Sequence, residues 1–255
     1  MATIVSVVNQ KGGVGKTTTS VNLAAYLAHQ GKFVLLVDLD PQANASSGLG
    51  ITSSLGVYEA MMGMHRSRDL VQDTEHQGLR IIPSTINLAG APVELVSMYR
   101  REWKLHEALL EIRNDYDYII IDNPPSLGLL TINGLVASDT VLIPVQAEYY
   151  ALEGLSQLMQ TLQLVREGLK PELAVMGAVI TMYDPRTTLS RDVLEELYRH
   201  FPNRIFRSVI PRNVRLAEAP SAGKTILQYD PSSKGAKAYE RLAREFISRE
   251  AESLD

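Results

Sequence analysis

The chain has 255 residues, 45% of them hydrophobic and 21% charged, with a formal net charge of −4. That length supports a substantial buried core. The charge excludes a polycation, so any nucleic-acid contact must come from a local patch or from an assembly, and the absence of cysteine excludes disulfides, iron–sulfur clusters and thiolate metal sites.

Met1-Ala2-Thr3 leads straight into the apolar run Ile4–Val8, the first predicted strand. No signal sequence is expected there, no apolar run reaches the ~20 residues of a membrane span, and the expected location is the cytoplasm. The strand is followed by Asn9-Gln10-Lys11-Gly12-Gly13-Val14-Gly15-Lys16-Thr17-Thr18, then by the helix-forming Asn22-Leu23-Ala24-Ala25-Tyr26-Leu27. Strand, glycine-rich loop and helix are the context of a phosphate-binding P-loop. Glycines let backbone N–H groups converge on a polyphosphate. The helix N-terminus adds partial positive charge and Lys16 a full one. Thr17 supplies a hydroxyl for Mg²⁺. The strict pattern G-x-x-x-x-G-K-[ST] fails, because Gln10 stands at its first glycine. A second lysine, Lys11, precedes the glycines. Before the turn it is badly placed for its own γ-phosphate. A sister subunit's phosphate is its natural target, which would make activity depend on dimerisation; a merely solvated lysine is the alternative.

Further strands are predicted at Phe33–Val37, Leu79–Ile82, Tyr118–Ile121, Val141–Val145, Val175–Thr181 and Ile205–Ile210. Continuous apolar runs suit strands buried on both faces. Between two of them Leu152, Leu155, Leu158, Leu162, Val165 and Leu169 form one helical stripe, read as core-facing. Residues 41–78, rich in Ser, Gly, Met and Asn, are expected to form loops and short helices. Lys234–Glu252 reads as a helix of mixed charge, with Ala238, Leu242, Phe246 and Ile247 on its apolar side. Alternating strands and helices define the α/β class: a mainly parallel twisted sheet with helices on both faces, in a P-loop NTPase arrangement. Residues 1–255 are read as one domain.

Acids close two of these strands. Asp38 and Asp40 end the second, where open α/β sheets bind ligands; a capping or turn role is the alternative. Ile119-Ile120-Ile121-Asp122 is a Walker B arrangement, an apolar strand ending in an acid that holds Mg²⁺. Pro124-Pro125 would stiffen the loop that follows, as a γ-phosphate-sensing switch requires. Hydrolysis needs an in-line water and neutralisation of transition-state charge. Asp40 is the candidate for the water and Lys11 for the charge, with Lys16 on the phosphates. Thr17, Asp40 and Asp122 are the candidate metal ligands.

Lys11–Thr18, Val37–Gln42, Ile119–Ser126 and Ile210–Lys224 together resemble the ParA/MinD group of P-loop ATPases, whose deviant Walker A motif carries a signature lysine. The resemblance covers nearly the whole chain. The stretch Ile210-Pro211-Arg212-Asn213-Val214-Arg215-Leu216-Ala217-Glu218-Ala219-Pro220-Ser221 is similar to the chromosomal ParA branch. The resemblance implies ATP and Mg²⁺ bound along Lys11, Gly12, Gly13, Val14, Gly15, Lys16, Thr17 and Thr18, with Pro211 and Asn213 near the adenine. It implies an ATP-dependent homodimer with Lys11 reaching across. It also implies non-specific binding of double-stranded DNA, and hydrolysis stimulated by a ParB-type centromere-binding protein. One departure is Asn123, where relatives often carry a small residue such as Thr or Cys. The chain lacks the N-terminal helix-turn-helix extension of larger plasmid relatives, so specific operator binding is not expected.

From Arg199 to Ala217 there are five arginines, Arg199, Arg204, Arg207, Arg212 and Arg215, and no acid. This reads as a local basic surface for DNA phosphates. Arg215 is the leading candidate, with Arg212, Arg186, Arg191 and Lys224 beside it; arginines paired with acids elsewhere in the fold are the alternative. A nucleoid-associated protein is expected. The competing reading is a MinD-like membrane-associated ATPase, or one that positions another cargo. MinD relatives end in a basic amphipathic membrane-targeting helix, whereas here Arg249–Asp255 ends acidic, which opposes binding to anionic lipids.

Overall fold

A computed structural model describes residues 1–149 and 151–254. Its strands are β1 (Thr3–Val7), β2 (Val34–Asp38), β3 (Gln72–Asp73), β4 (Leu79–Ile82), β5 (Tyr118–Asp122), β6 (Thr140–Gln146), β7 (Ala174–Tyr183) and β8 (Ile205–Pro211). They form one 8-stranded sheet in the order β3-β4-β2-β5-β1-β6-β7-β8. Every pairing is parallel except that of β3 with β4. All the predicted strands are present. The one addition, β3, is a two-residue polar edge strand.

The central strands are buried along their whole length, β2 and β5 without exception. Alternate side chains of each strand enter opposite layers, as the period of two requires. On one face Val5, Val7, Leu36 and Ile120 pack with helix Lys16–His29 and with Tyr239, Leu242 and Phe246 of helix Lys234–Leu254. On the other, Ile4, Leu35, Ile119 and Ile121 meet Leu105, Leu109 and Leu130. Helix Ala151–Gly168 buries Leu155, Leu158, Leu162 and Val165 as predicted. Burying such a side chain fully stabilises the fold by about 1.5–3 kcal/mol. Short helices at Asn44–Gly48, Val57–Met61 and Ser67–Leu70 fill residues 41–78, in line with expectation.

No helix among the described residues is long and apolar enough to cross a membrane. The acidic end of the chain lies outside this description, since Asp255 is not covered and the side chains of Glu252, Ser253 and Leu254 are not assigned.

Candidate nucleotide site

The glycine-rich loop joins β1 to helix Lys16–His29 at the C-terminal end of the sheet. Gly13 and Gly15 adopt φ of 75° and 87°, a left-handed conformation that glycine reaches without steric cost. Gly15 precedes the helix with no side-chain cap, so the first helical N–H groups have no competing side-chain acceptor there. The loop is propped from below. The Thr181 hydroxyl on β7 donates to the Val14 carbonyl at 2.8 Å, and Asn9 Nδ2 donates to the Pro144 carbonyl at 2.7 Å. Lys16 folds back over the loop, its Nζ donating to the Lys11 carbonyl at 3.0 Å. Burial lowers the Lys16 ammonium below its usual range, and the nearby carboxylates of Asp122 and Asp40 pull it back up.

Parallel pairing sets Asp38 opposite Asp122 on adjacent strands. Both are wholly buried. Asp122 Oδ1 accepts from the Ser20 hydroxyl at 2.7 Å, while Asp122 Oδ2 is buried with no hydrogen-bond donor. Burial pushes the Asp122 carboxyl upward and the charge of Asp38 adds to this, against the Ser20 and Thr17 hydroxyls. Burial also raises Asp38, against the Ser46 hydroxyl and N–H. Asp40 is buried too, and its Oδ1 accepts from the Gln42 N–H at 3.0 Å. Lys16, Thr17, Asp40 and Asp122 are therefore gathered at one place. Among the described residues, no group of three histidine or acidic side chains forms a ready-made metal cage.

Lys11 behaves differently. Its ammonium pairs with Glu148, just past β6, with half of the lysine side chain exposed. Gly12 faces open space, with nothing within 4 Å of where a Cβ would stand. Asn123 stitches the Walker B strand to the P-loop strand: its Nδ2 donates to Ser6 Oγ, Val7 O and Ile121 O at 3.1–3.2 Å. Asn213 caps helix Val214–Glu218, accepting from the Arg215 N–H at 2.9 Å. A cavity of about 290 Å³ beside Thr17 and Thr18 is lined by Asn44, Ser47, Pro220 and Lys224 rather than by Pro211 or Asn213.

The basic stretch does not form one surface. The length of β8, about 20 Å at ~3.3 Å per residue, separates Arg204 at its start from Arg212 just past its end, and Arg199 pairs with Glu196. Arg186 and Arg191 follow β7 in the chain and Arg212 and Arg215 follow β8, and the Arg212 N–H donates to the Tyr183 carbonyl at 3.1 Å, so the two strand ends lie together. Two of these carry acids: Arg186 pairs with Asp184 at 2.7 Å, and Arg215 with Glu218 at 2.8 Å and Asp230 at 3.6 Å. Arg191, Arg212 and Lys224 are exposed. Sequence reasoning missed a neighbouring row. Lys234, Lys237, Arg241 and Arg244, the last paired with Glu240, are exposed along the C-terminal helix, spaced three or four apart, and Gly235 packs on Leu216 beside Arg215. It also missed Thr181, Glu148 and Ser46. Glu148 alone had a signal, its place just past the C-terminal end of a predicted strand.

A parallel sheet, a glycine loop between β1 and a helix, and acids ending the flanking strands define a P-loop NTPase. A family profile described as an AAA domain matches residues 2–175. The sporulation initiation inhibitor protein Soj of Bacillus subtilis is 55% identical over 248 residues, 96% of this chain and 98% of that protein. The chromosome partitioning protein ParA of Myxococcus xanthus is 51% identical, over 97% of this chain and 88% of that protein. Among solved structures, cobyrinic acid a,c-diamide synthase from Mycobacterium smegmatis, with bound ATP analogue and magnesium, superposes with a TM-score of 0.87. It is 37% identical, covering 100% of this chain and 98% of that one. The chain belongs to the Soj/ParA family of chromosome-partitioning ATPases.

Proposed function

We propose that this chain, working as one unit over its whole length, is an ATP-switched DNA-segregation ATPase. ATP binds along Lys11–Thr18, two subunits close over two nucleotides, and the homodimer holds double-stranded DNA without sequence preference. Hydrolysis stimulated by a ParB-type centromere-binding protein then releases it. The observation that carries this reading is the half-exposed Lys11 beside Gly12, which has open space where a Cβ would stand. A half-exposed lysine whose ammonium is held by Glu148 rather than by its own loop's groups is suited to a facing subunit. Its exposed pairing with Glu148 is worth only about 0.2–1 kcal/mol and is readily exchanged. The synthase name belongs to a protein of 37% identity, below the 55% and 51% of the partitioning relatives.

The donors present fit magnesium. Asp122 Oδ2 is a buried oxygen in want of a partner, the Thr17 hydroxyl acts on the same carboxylate, and Asp40 is close enough to influence both Asp122 and Lys16. Magnesium asks for one or two carboxylates, completing its shell with phosphate and water. It would neutralise charge on the phosphates there. Lys16 binds and orients the phosphates, and Asp40 orients the attacking water.

The deciding measurement is DNA binding with ATP, with ADP and without nucleotide, with and without a candidate ParB-type protein. ATP-dependent binding released by that protein supports the cycle; binding indifferent to nucleotide rejects it. Liposome co-sedimentation in the same conditions tests the membrane alternative. Gly12→Val is expected to bind ATP but stay monomeric, because a Cβ there has nothing within 4 Å in its own subunit and the side chain would crowd a facing one. A nucleotide-dependent dimer of that variant on gel filtration would count against the sandwich. For DNA, the supporting feature is the set of cations at the ends of β7 and β8. Arg215→Glu is expected to lose DNA and keep dimerisation. The slope of log affinity against log salt should fall by about two per dimer, one per subunit. Unchanged DNA retention would move the contact surface elsewhere.

A further inference from the structure

We propose that Asp38 is a positioning residue: with Ser46 it forms a clasp that presets the loop carrying Asp40 before nucleotide arrives. A buried carboxylate is costly unless donors fill its oxygens. Asp38 is 0% exposed. It accepts from the Ser46 N–H at 2.8 Å, the Ser46 hydroxyl at 2.7 Å and the Asp40 N–H at 3.2 Å. The Ser46 oxygen in turn accepts from the Ser84 N–H at 3.0 Å, just past β4. One carboxylate thus ties the end of β2 to a serine eight residues on, and that serine to the neighbouring strand.

Between the two anchors the chain is tightly wound. The Ala43 N–H donates to the Asp40 carbonyl at 2.9 Å, and the Gln42 N–H to Asp40 Oδ1 at 3.0 Å. Ala43 sits at φ 53°, ψ 32°, in the left-handed region. A residue with a Cβ is strained there, and such a conformation persists only where its surroundings over-determine it. The clasp is what over-determines Ala43. Closing the loop on Asp38 fixes the backbone of Asp40, so its carboxylate is already in place and need not be ordered during the reaction. This rests on the water-orienting role proposed for Asp40.

The test uses the full-length protein with Mg·ATP and four variants: Ser46→Ala, Asp38→Asn, Ala43→Gly, and Ser46→Ala combined with Ala43→Gly. Losing a hydrogen bond to a charged group should lower kcat by about tenfold in Ser46→Ala, while ATP affinity stays within about twofold. Asp38→Asn should fall further, because its carboxamide N–H₂ faces donors. Glycine takes the left-handed conformation freely, so Ala43→Gly should restore part of the turnover lost in Ser46→Ala. Equal losses in affinity and kcat, or no rescue by glycine, would overturn the proposal. Hydrogen exchange gives a reading independent of catalysis. The Ser46 amide should be protected in nucleotide-free protein, and fast exchange there would overturn presetting. If Asp40→Ala turned over normally, the role of Asp40 would fall, while exchange and ATP affinity would still report on the clasp.

Discussion

Lys16→Ala is expected to lose ATP binding almost entirely. A hydrogen bond to a charged partner contributes about 1.5–3 kcal/mol, and a P-loop lysine makes more than one to the phosphates. Each 1.4 kcal/mol is about tenfold in affinity, so a loss of ~100-fold or more follows. The structure gives a second reason. Lys16 is the buried cation beside Asp122 and Asp40, and without it the inward-facing acids would repel the phosphates. Titration with a fluorescent ATP analogue, with and without Mg²⁺, measures the effect. Tight binding by the variant would remove Lys16 from the site.

Asp40→Ala is expected to do the opposite to affinity. It should bind ATP at least as well as the parent and accumulate as an ATP-bound dimer, while hydrolysis falls by about 10²–10⁴-fold, the usual worth of a positioned general base. Asp40 is buried, and its loop is held from Asp38. The alanine therefore removes a carboxylate without disturbing the P-loop opposite. Single-turnover hydrolysis beside gel filtration separates the two properties. Normal turnover would reject the water-orienting role.

Much of this was legible because continuous apolar strands ending in acids leave a plain trace. Val34–Asp38 and Tyr118–Asp122 announce both their burial and the end of the sheet at which Asp38 and Asp122 sit. The strand Gln72–Asp73 left none, since two polar edge residues have no periodicity. Nor did the clasp. Ser46 lies in a stretch of small polar residues, any of which could have met Asp38, and only the folded turn selects one. The arginines failed for the converse reason. Adjacency in sequence suggested one surface, but an intervening strand carries neighbours to opposite ends of the sheet. Acids from other segments, Asp230 for Arg215 among them, reach across to pair with them.

The strand order has one more consequence. β1 lies between β5 and β6, so it divides the sheet into two wings. One wing holds the acids of β2 and β5; the other, at β7 and β8, presents the arginines. The P-loop would then be the seam between the acids proposed to hold magnesium and the cations proposed to meet DNA. On the proposed reading, any signal from hydrolysis to DNA must cross that seam, through contacts such as Thr181 beneath Val14.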